Sequence, residues 1–482
     1  METRLKSTGL VLFIAVFLAL CLLPFVGMLW APTRSTSGTA EPASLPAVVQ
    51  EDGSANLAYL SQLGFYFEDH FAYRNLAVDL DARLKVTLFN VSPTAQVVVG
   101  SDGWLYYGGE LDDYLGTTPL TPRKAKNIAH NLALMQGYAN AMDSQLLFVV
   151  APNKSSLYPG HMPYYYLDSR DASMELLGAC LEEKGVAYVD LFELFTTQDE
   201  ELYCKTDSHW NDVGALLVTN ALLKACDKDG AVVQSSFEDL RFYGDIEKML
   251  YPITAQPEAR LTYSTGDWVY ANATSSVEDG FIETASSGTG SVLMFRDSFA
   301  DSLIPLLAPE FQRAYFSKYI PYDLTQIETL KPDYVLIERT QRHVGLLAEN
   351  PAILLAPSFR LEATDSIAST TTVEVVRDGD FWVIQGWVDE SCIDEDDDVF
   401  ILLEGPEGAV CYVPFRISGT VNQVTALEEG VQQALPGRES DYGYKAYFSS
   451  SVFIGGDYMI TILVAKADAG GIVAVASIPY TP

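Results

Sequence analysis

The sequence predicts a mainly parallel α/β unit, then an all-β sandwich, both exported behind an N-terminal transmembrane helix. Three observations carry this. Between about residues 123 and 340, helical patterns alternate with short β-rich runs, the signature of a parallel sheet covered by helices. After about residue 365 the pattern becomes strands alone, separated by Gly, Asp and Ser clusters. Gly9 to Ala31 (GLVLFIAVFLALCLLPFVGMLWA) is uncharged and apolar throughout, with no polar face for a soluble helix.

Taken in order, residues 1–31 read as a cytoplasmic stub and membrane anchor. Arg4 and Lys6 precede the apolar run and place the short N-terminus inside. An uncleaved anchor is favoured over a cleaved signal peptide, because Gly38-Thr39-Ala40, the one weak cleavage site, lies far from the run. The localisation expected is therefore a single N-terminal pass with the bulk of the chain extracytoplasmic. Residues 32–55, rich in Pro, Ser, Thr and Ala, form a tether.

Residues 56–364 are expected to form the α/β unit. Residues 55–90 look helical, with Leu60, Leu63, Phe67 and Phe71 at helical spacing. VVVGSDGWLYYGG (97–109) reads as a hairpin around Ser-Asp-Gly. Helices are expected near 123–142, 170–184 and 212–227, and β-rich runs at 145–152, 186–192, 291–295 and 334–338. In such a sheet, ligands bind at the carboxyl ends of the strands. Residues 365–482 form the sandwich.

The chain has 64 Asp+Glu against 30 Lys+Arg, a formal charge of −34. That excludes the basic stripe a nucleic-acid binder needs, and the 48% hydrophobic content excludes a disordered acidic tail. The acidity begins after residue 50; residues 1–50 carry a net +1. So acidic a surface should repel polyanions at low salt. Six cysteines are present, and outside the cytoplasm a Cys392–Cys411 bridge is expected because both flank strand-like runs. No histidine or cysteine spacing suggests a metal site. The acidic turn DESCIDEDDD (389–398) lacks the glycine and terminal Glu of a calcium loop and reads as solvated. Trp382, Trp387, Tyr412, Tyr442 and Tyr444 either stack on sugar rings or fill the sandwich core; strand alternation favours the core.

Two fragments carry chemistry. TDSHWND (206–212) precedes a helix, and MFRDSFADS (294–302) follows an apolar strand and opens one. A serine hydroxyl needs a base, and the base needs an orienting partner. His209 is the candidate base, Asp207 its partner and Ser298 the nucleophile, with the following helix aiming N–H groups at an oxyanion. The competing reading is structural: Asp207, Ser208 or Asn211 caps one helix, Asp297 or Ser298 the other.

From about Phe67 to about His343 the chain resembles the alginate O-acetyltransferase and DHHW-protein branch of the SGNH hydrolases. The matching pieces are FEDHFAYRN (67–75), VVVGSDGWLYYGG (97–109), VVAPNKSSLYPGHMP (149–163), YCKTDSHWNDVGA (203–215), RDSFADSLIP (296–305) and PDYVLIERTQRHV (332–344). D-x-H-W followed at a distance by D-S-F is the specific part. The resemblance implies an SGNH-hydrolase-like fold and assigns the triad roles to Asp207, His209 and Ser298. Many SGNH enzymes have Gly-Asp-Ser, whereas Arg296 stands before Asp297 here; its side chain would crowd the turn or contact substrate. Asn153 is a candidate oxyanion donor or simply a turn residue. Trp210, beside His209, joins the substrate candidates. Arg339 and Arg342 follow a strand and either bind substrate or form surface salt bridges.

The reading implied is an extracytoplasmic polysaccharide O-acetyltransferase working through an acetyl-serine, with no cofactor. Its expected partners are a polysaccharide acceptor, the membrane and a multi-spanning membrane O-acyltransferase as acetyl donor. A cell-surface carbohydrate acetylesterase is the close alternative; a non-catalytic polysaccharide-binding or assembly factor is the distant one.

Overall fold

The computed structural model describes residues 2–28, 43–50, 53–70, 72–169, 172–359, 365–421, 424–426, 432–434, 438–468 and 470–482. The Gly38-Thr39-Ala40 site, much of the tether and Phe71 lie outside these. Helix α1 (Glu2–Met28) contains Leu10–Met28, a 19-residue stretch of mean hydropathy 2.9 that is only 7% buried. That is long and apolar enough to cross a membrane, as an anchor or a signal sequence would. The helical stretch over 55–90 is two helices, α2 (Tyr59–His70) and α3 (Arg74–Phe89), with Tyr73 left-handed before the second. The expected hairpin pairs β1 (Val97–Val99) with β2 (Leu105–Tyr107), and Asp102 and Gly103 take positive φ in its turn.

Helix α4 (Pro122–Ala141) starts where Thr121 Oγ1 accepts the Lys124 N–H and proline fills the first turn. Strand β3 (Gln145–Ala151), helix α5 (Ser173–Lys184), strand β4 (Tyr188–Val189) and helix α6 (Leu191–Thr196) follow. The run expected over 186–192 is strand only at its centre, because the Asp190 carboxylate accepts the Phe192 and Glu193 N–H groups and starts a helix. Then come α7 (Asp212–Ala225), β5 (Val233–Phe242), α8 (Asp245–Leu250), β6 (Glu258–Thr265), β7 (Trp268–Tyr270), β8 (Phe281–Ser286), β9 (Ser291–Phe295), β10 (Arg313–Ser317) and β11 (Tyr334–Thr340).

Seven of these strands form one sheet in the order β4-β3-β11-β9-β10-β8-β7. The first five are parallel, and β8 and β7 turn antiparallel at one edge. Side-chain alternation divides the core. Val149, Met294 and Leu336 face α7, while Phe148, Leu293, Phe295 and Ile337 face α4 and α5. The β5–β6 hairpin stands apart from this sheet and is largely exposed, so it lacks the apolar alternation that would have revealed it in the sequence.

The C-terminal strands form two main sheets, beside a small antiparallel pair of Val424–Ala426 with Gln432–Ala434. β12 (Ser358–Phe359), β13 (Asp365–Ser366), β14 (Glu374–Asp378), β15 (Phe381–Trp387), β16 (Asp398–Gly405), β17 (Gly408–Tyr412), β18 (Phe415–Val421), β19 (Arg438–Ser449), β20 (Tyr458–Ala465) and β21 (Ile472–Tyr480) order as β12-β17-β16-β20-β21-β13 and β14-β15-β19-β18. Ile384, Tyr444 and Phe448 from the smaller sheet pack against Ile401, Ile460 and Ile462 from the larger. The expected Cys392–Cys411 bridge is absent: both thiols are free and buried. Cys392 lies in the core between the sheets, whereas Cys411 packs with Leu402 and Leu463 in a separate cluster on the outer face. The sandwich aromatics are mostly core: Tyr444 is fully buried, Trp382 packs on Phe453, and Tyr412 on Phe448.

The acidic turn 389–398 is a docking surface. Lys126 of α4 pairs with Glu395 and Asp396, and Arg123 donates to the Glu395 and Asp397 carbonyls. Asn131, fully buried on α4, donates to Leu347 O (3.0 Å) and Arg416 O (2.9 Å) and accepts the Arg416 N–H (2.9 Å). Asn131→Ala leaves these buried backbone groups unpaired and should cost about 2 kcal/mol. A urea-unfolding midpoint equal to that of the unaltered protein would contradict this.

Candidate active site

The segment 202–211 folds back on itself. Tyr203 bridges Trp210, Cys204 N–H donates to His209 O, and Asn211 N–H to Leu202 O. Gly214, in the first turn of α7, fits because a Cβ there would stand 2.5 Å from Leu202 O. Lys154, fully buried after β3, grips the loop from beneath through Cys204 O, Lys205 O and Asp207 O (2.7 Å). Glu258 holds the Lys205 and Thr206 N–H groups from β6. So clamped, the loop presents Asp207 and His209 at the carboxyl edge of the sheet.

Asp207 Oδ1 accepts both the His209 backbone N–H (3.0 Å) and ring Nδ1–H (2.7 Å), and Oδ2 accepts the Asp245 N–H (2.8 Å). On the other side of the ring, His209 Nε2 is 2.9 Å from Ser298 Oγ. Burial acts to raise the Asp207 pKa, but its hydrogen bonds and the attraction of His209 outweigh it and hold the carboxyl at about 2. Burial acts to lower His209, and the Asp207 bond and charge overcome it, so the imidazole lies above 6.5.

Ser298 follows β9 on a turn fixed from the neighbouring strand. Asp297 N–H donates to Glu338 Oε2 (2.9 Å), and the Asp297 carboxylate accepts the Phe299 N–H, the Thr340 N–H and the Thr340 hydroxyl. Burial raises both carboxyls, but those bonds leave Asp297 low while the Asp297 charge drives Glu338 well up. The helix expected to open at Ser298 is instead a 3-10 turn, Ser298–Ser302. The capping alternatives divide: Asn211 caps α7 and Asp297 caps this turn, which leaves Asp207 and Ser298 to His209.

Trp210 forms the wall, its Nε1–H donating to Ser302 Oγ (2.7 Å) and its ring meeting Phe299 edge to face. With Asp207, His209 and Ser298 it lines a cavity of about 460 Å³. The other candidates stand elsewhere. Arg296 is fully buried beside the turn, bound to Asp301 and to the Val277 and Asp279 carbonyls, so it neither crowds Ser298 nor lines the cavity. Asn153 is also fully buried, with its Nδ2 donating to Asp113 (2.7 Å). Arg339 points to Tyr322 and the His343 carbonyl rather than to a surface ion pair. Arg342 is buried against Phe299 and Glu110.

Asp245 was not foreseen. It accepts the Ser208 N–H and hydroxyl, and Oδ2 is 3.7 Å from His209 Nδ1. The Gly244-Asp245 helix start was its only signal. Among the described residues, Asp207, His209 and Asp245 have ligand atoms within 4.8 Å of one another, as a metal would require. Those atoms are already hydrogen-bonded to each other, to Ser208 and to backbone N–H groups.

Residues 97–284 match the family model described as SGNH hydrolase-like domain, acetyltransferase AlgX. The fold class is SGNH hydrolase-like. The resemblance read from the motifs is thereby borne out. The probable alginate O-acetylase AlgJ of Pseudomonas syringae pv. tomato is 28% identical over 222 residues, 44% of this chain and 51% of that protein. This chain thus spans about half the length of that curated relative. Among solved structures, Bacillus cereus PatB1 covers 52% of this chain and 96% of its own at 16% identity, with a TM-score of 0.42. A DHHW family protein from Eubacterium siraeum covers 52% and 92% at 16% identity, with a TM-score of 0.40.

The raised imidazole gives a direct check. NMR titration should place the His209 midpoint above 6.5 and find the proton on Nδ1 in the neutral ring. Asp207→Asn should lower that midpoint, because burial then acts against a weaker acceptor. An unchanged midpoint in the variant would show that Asp207 does not set it.

Proposed function

We propose that the chain is an extracytoplasmic polysaccharide O-acetyltransferase that carries acetyl as an ester on Ser298. The observation that supports this is the single imidazole at hydrogen-bond distance from both the Asp207 carboxylate and the Ser298 hydroxyl. His209 Nε2 takes the Ser298 proton as Oγ attacks the acetyl carbonyl, and returns it to the leaving group. It then deprotonates an acceptor sugar hydroxyl, which takes the acetyl and restores the serine. Asp207 holds the tautomer and stabilises the imidazolium. The name of the Pseudomonas syringae relative supports acetylation of a polysaccharide. The apolar α1 supports membrane attachment, and a multi-spanning O-acyltransferase is the donor that the resemblance suggests.

The acceptor we favour is neutral or amine-bearing. Asp207, Asp212, Asp245, Glu278 and Asp301 line the cavity against Lys248 and Arg260, and Arg260 is paired with Asp212 at 3.4 Å. A polyuronate such as alginate would bring further negative charge to that wall.

With p-nitrophenyl acetate as donor, mass spectrometry should find acetyl on Ser298. Ser298→Ala should lower turnover at least about 1,000-fold. Because the base must be neutral, activity should rise with pH through a midpoint above 6.5. Acetate release with no acetyl-sugar under any acceptor would replace the transferase with an esterase.

At low ionic strength the protein should acetylate neutral or amino oligosaccharides in preference to oligouronates, and added salt should narrow the difference. Stronger acetylation of oligouronates at low salt would reverse the acceptor assignment.

A further inference from the structure

Asp245 opens α8 beside the imidazole and lines the same cavity as Ser298. An acidic side chain at that place ordinarily serves its own helix. Asp245 does so only in part. Its Oδ1 accepts the Ile246 N–H (2.7 Å) but also the Ser208 N–H (2.7 Å), and Oδ2 accepts the Ser208 hydroxyl (2.5 Å). Ser208 Oγ stands 3.2 Å from His209 Nδ1, and Asp245 Oδ2 stands 3.7 Å from it. Asp207 Oδ1 meets the same nitrogen at 2.7 Å. Two carboxylates thus converge on one ring nitrogen, whose single proton goes to Asp207.

That convergence is unfavourable while the ring is neutral. Burial and the Asp207 charge push the Asp245 carboxyl up, and the charge on His209 acts to pull it back. On the imidazole the effects are reciprocal. Burial lowers it, Asp207 and then Asp245 raise it, and the positive charge of Arg342 opposes them. The other charges of the cavity are engaged elsewhere or stand without a contact to the ring. Asp301 is held by Arg296 and Lys318, and Asp212 by Arg260 and Thr262; Lys248 and Glu278 complete the charged lining. Lys154, beneath the loop, binds the Asp207 carbonyl.

We infer that Asp245 is a positioning residue that holds a second negative charge against the imidazolium formed when His209 takes the Ser298 proton. This rests on the acetyl-serine reading above. As Ser298 Oγ bonds to the acetyl carbon, its proton passes to His209 Nε2 and the ring becomes a cation. The Nδ1 proton stays on the ring, bonded to Asp207. A cation beside both carboxylates offsets their mutual repulsion, so the arrangement favours the charged ring over the neutral one and lowers the barrier. Asp245 exchanges no proton; it acts through His209.

The test is the pH profile of pre-steady-state acylation of the full chain by p-nitrophenyl acetate, for the unaltered protein, Asp245→Asn, Asp245→Glu and Ser298→Ala. Asparagine removes the charge yet still offers an acceptor to Ser208. Loss of a negative charge lowers the imidazole, so the midpoint should fall by about 0.5–1 unit, the scale for one charge near 4 Å in a water-like medium. Acylation at high pH should slow about 3- to 10-fold, that same shift expressed as a rate. The deficit should shrink toward acid pH, where the less basic ring is more often neutral. Asp245→Glu restores the charge and should recover much of both. A uniform loss at every pH with an unmoved midpoint is what a merely structural role produces, and it overturns the proposal; so does an unaltered rate in Asp245→Asn. Should Asp245→Asn fail to fold, NMR titration of the Asp245 carboxyl decides. Its midpoint should rise in His209→Gln, since the coupling is mutual, and an unmoved one overturns the proposal equally. If Ser298→Ala acylates at the unaltered rate, the acetyl-serine reading itself falls. Ser298-dependent acylation with an unmoved midpoint in Asp245→Asn removes only this inference.

Discussion

The site depends on a buried carboxylate with nearly every lone pair in use. Asp207 accepts from His209 twice and from the Asp245 backbone once. An ionised carboxylate inside a protein is tolerable only when such donors replace water. Meeting that demand fixes the backbone of 207–209, the ring of His209 and the start of α8 together. The loop that carries Asp207 is in turn secured by Lys154 just past β3 and Glu258 from β6. Gly244 makes the approach of α8 feasible, since any Cβ there would stand 2.2 Å from Thr206 O. One charge thus sets the mutual position of a strand end, a hairpin and a helix.

The Ser298 side solves the same problem with the opposite outcome for a second acid. Asp297 and Glu338 are buried side by side, and donors converge on Asp297 from Phe299 and Thr340. Those donors hold Asp297 below the usual carboxylate range, while burial and the Asp297 charge push Glu338 well above it. The pair ties the Ser298 turn to β11, so the distance from Ser298 to His209 is set by sheet geometry rather than by the turn alone. Trp210 closes the frame by bonding Ser302 at the far end of that turn.

What could be read from the sequence was local. Asp207 and His209 are two residues apart in one loop, and D-x-H spacing expresses that contact directly. Ser298 was legible because a short apolar strand ends just before it. Fully buried strands such as β9 and β11 announced themselves as apolar runs. The errors were long-range. Arg296 and Asn153 looked available because Asp301 and Asp113, which occupy them, cannot be assigned as partners from spacing. Asp245 and Lys154 reach Asp207 across 38 and 53 residues, and apart from the helix start at Gly244-Asp245 nothing near either one signals the contact. The Cys392–Cys411 bridge failed for a related reason: strand proximity in sequence does not say which face of a sheet a thiol will occupy.

The distribution of roles between the two sheets follows from where the sandwich docks. It meets α4 and the Leu346–Glu349 turn through Asn131, Arg123 and Lys126. The cavity beside Asp207, His209 and Ser298 is walled entirely from residues 207–306, with the β5–β6 hairpin supplying Phe242, Arg260, Thr262 and Tyr263. The sandwich adds no side chain to that wall, and most of its aromatic rings are packed inside it. On the proposed function, discrimination at the reacting hydroxyl falls to the hairpin and the sheet edge. The hairpin also exposes Phe237, Leu240 and Leu261 to solvent, an apolar surface that its own packing does not require. On the proposed function, this segment, which escaped sequence patterning because it is exposed, is the one best placed to meet a polymer approaching Ser298.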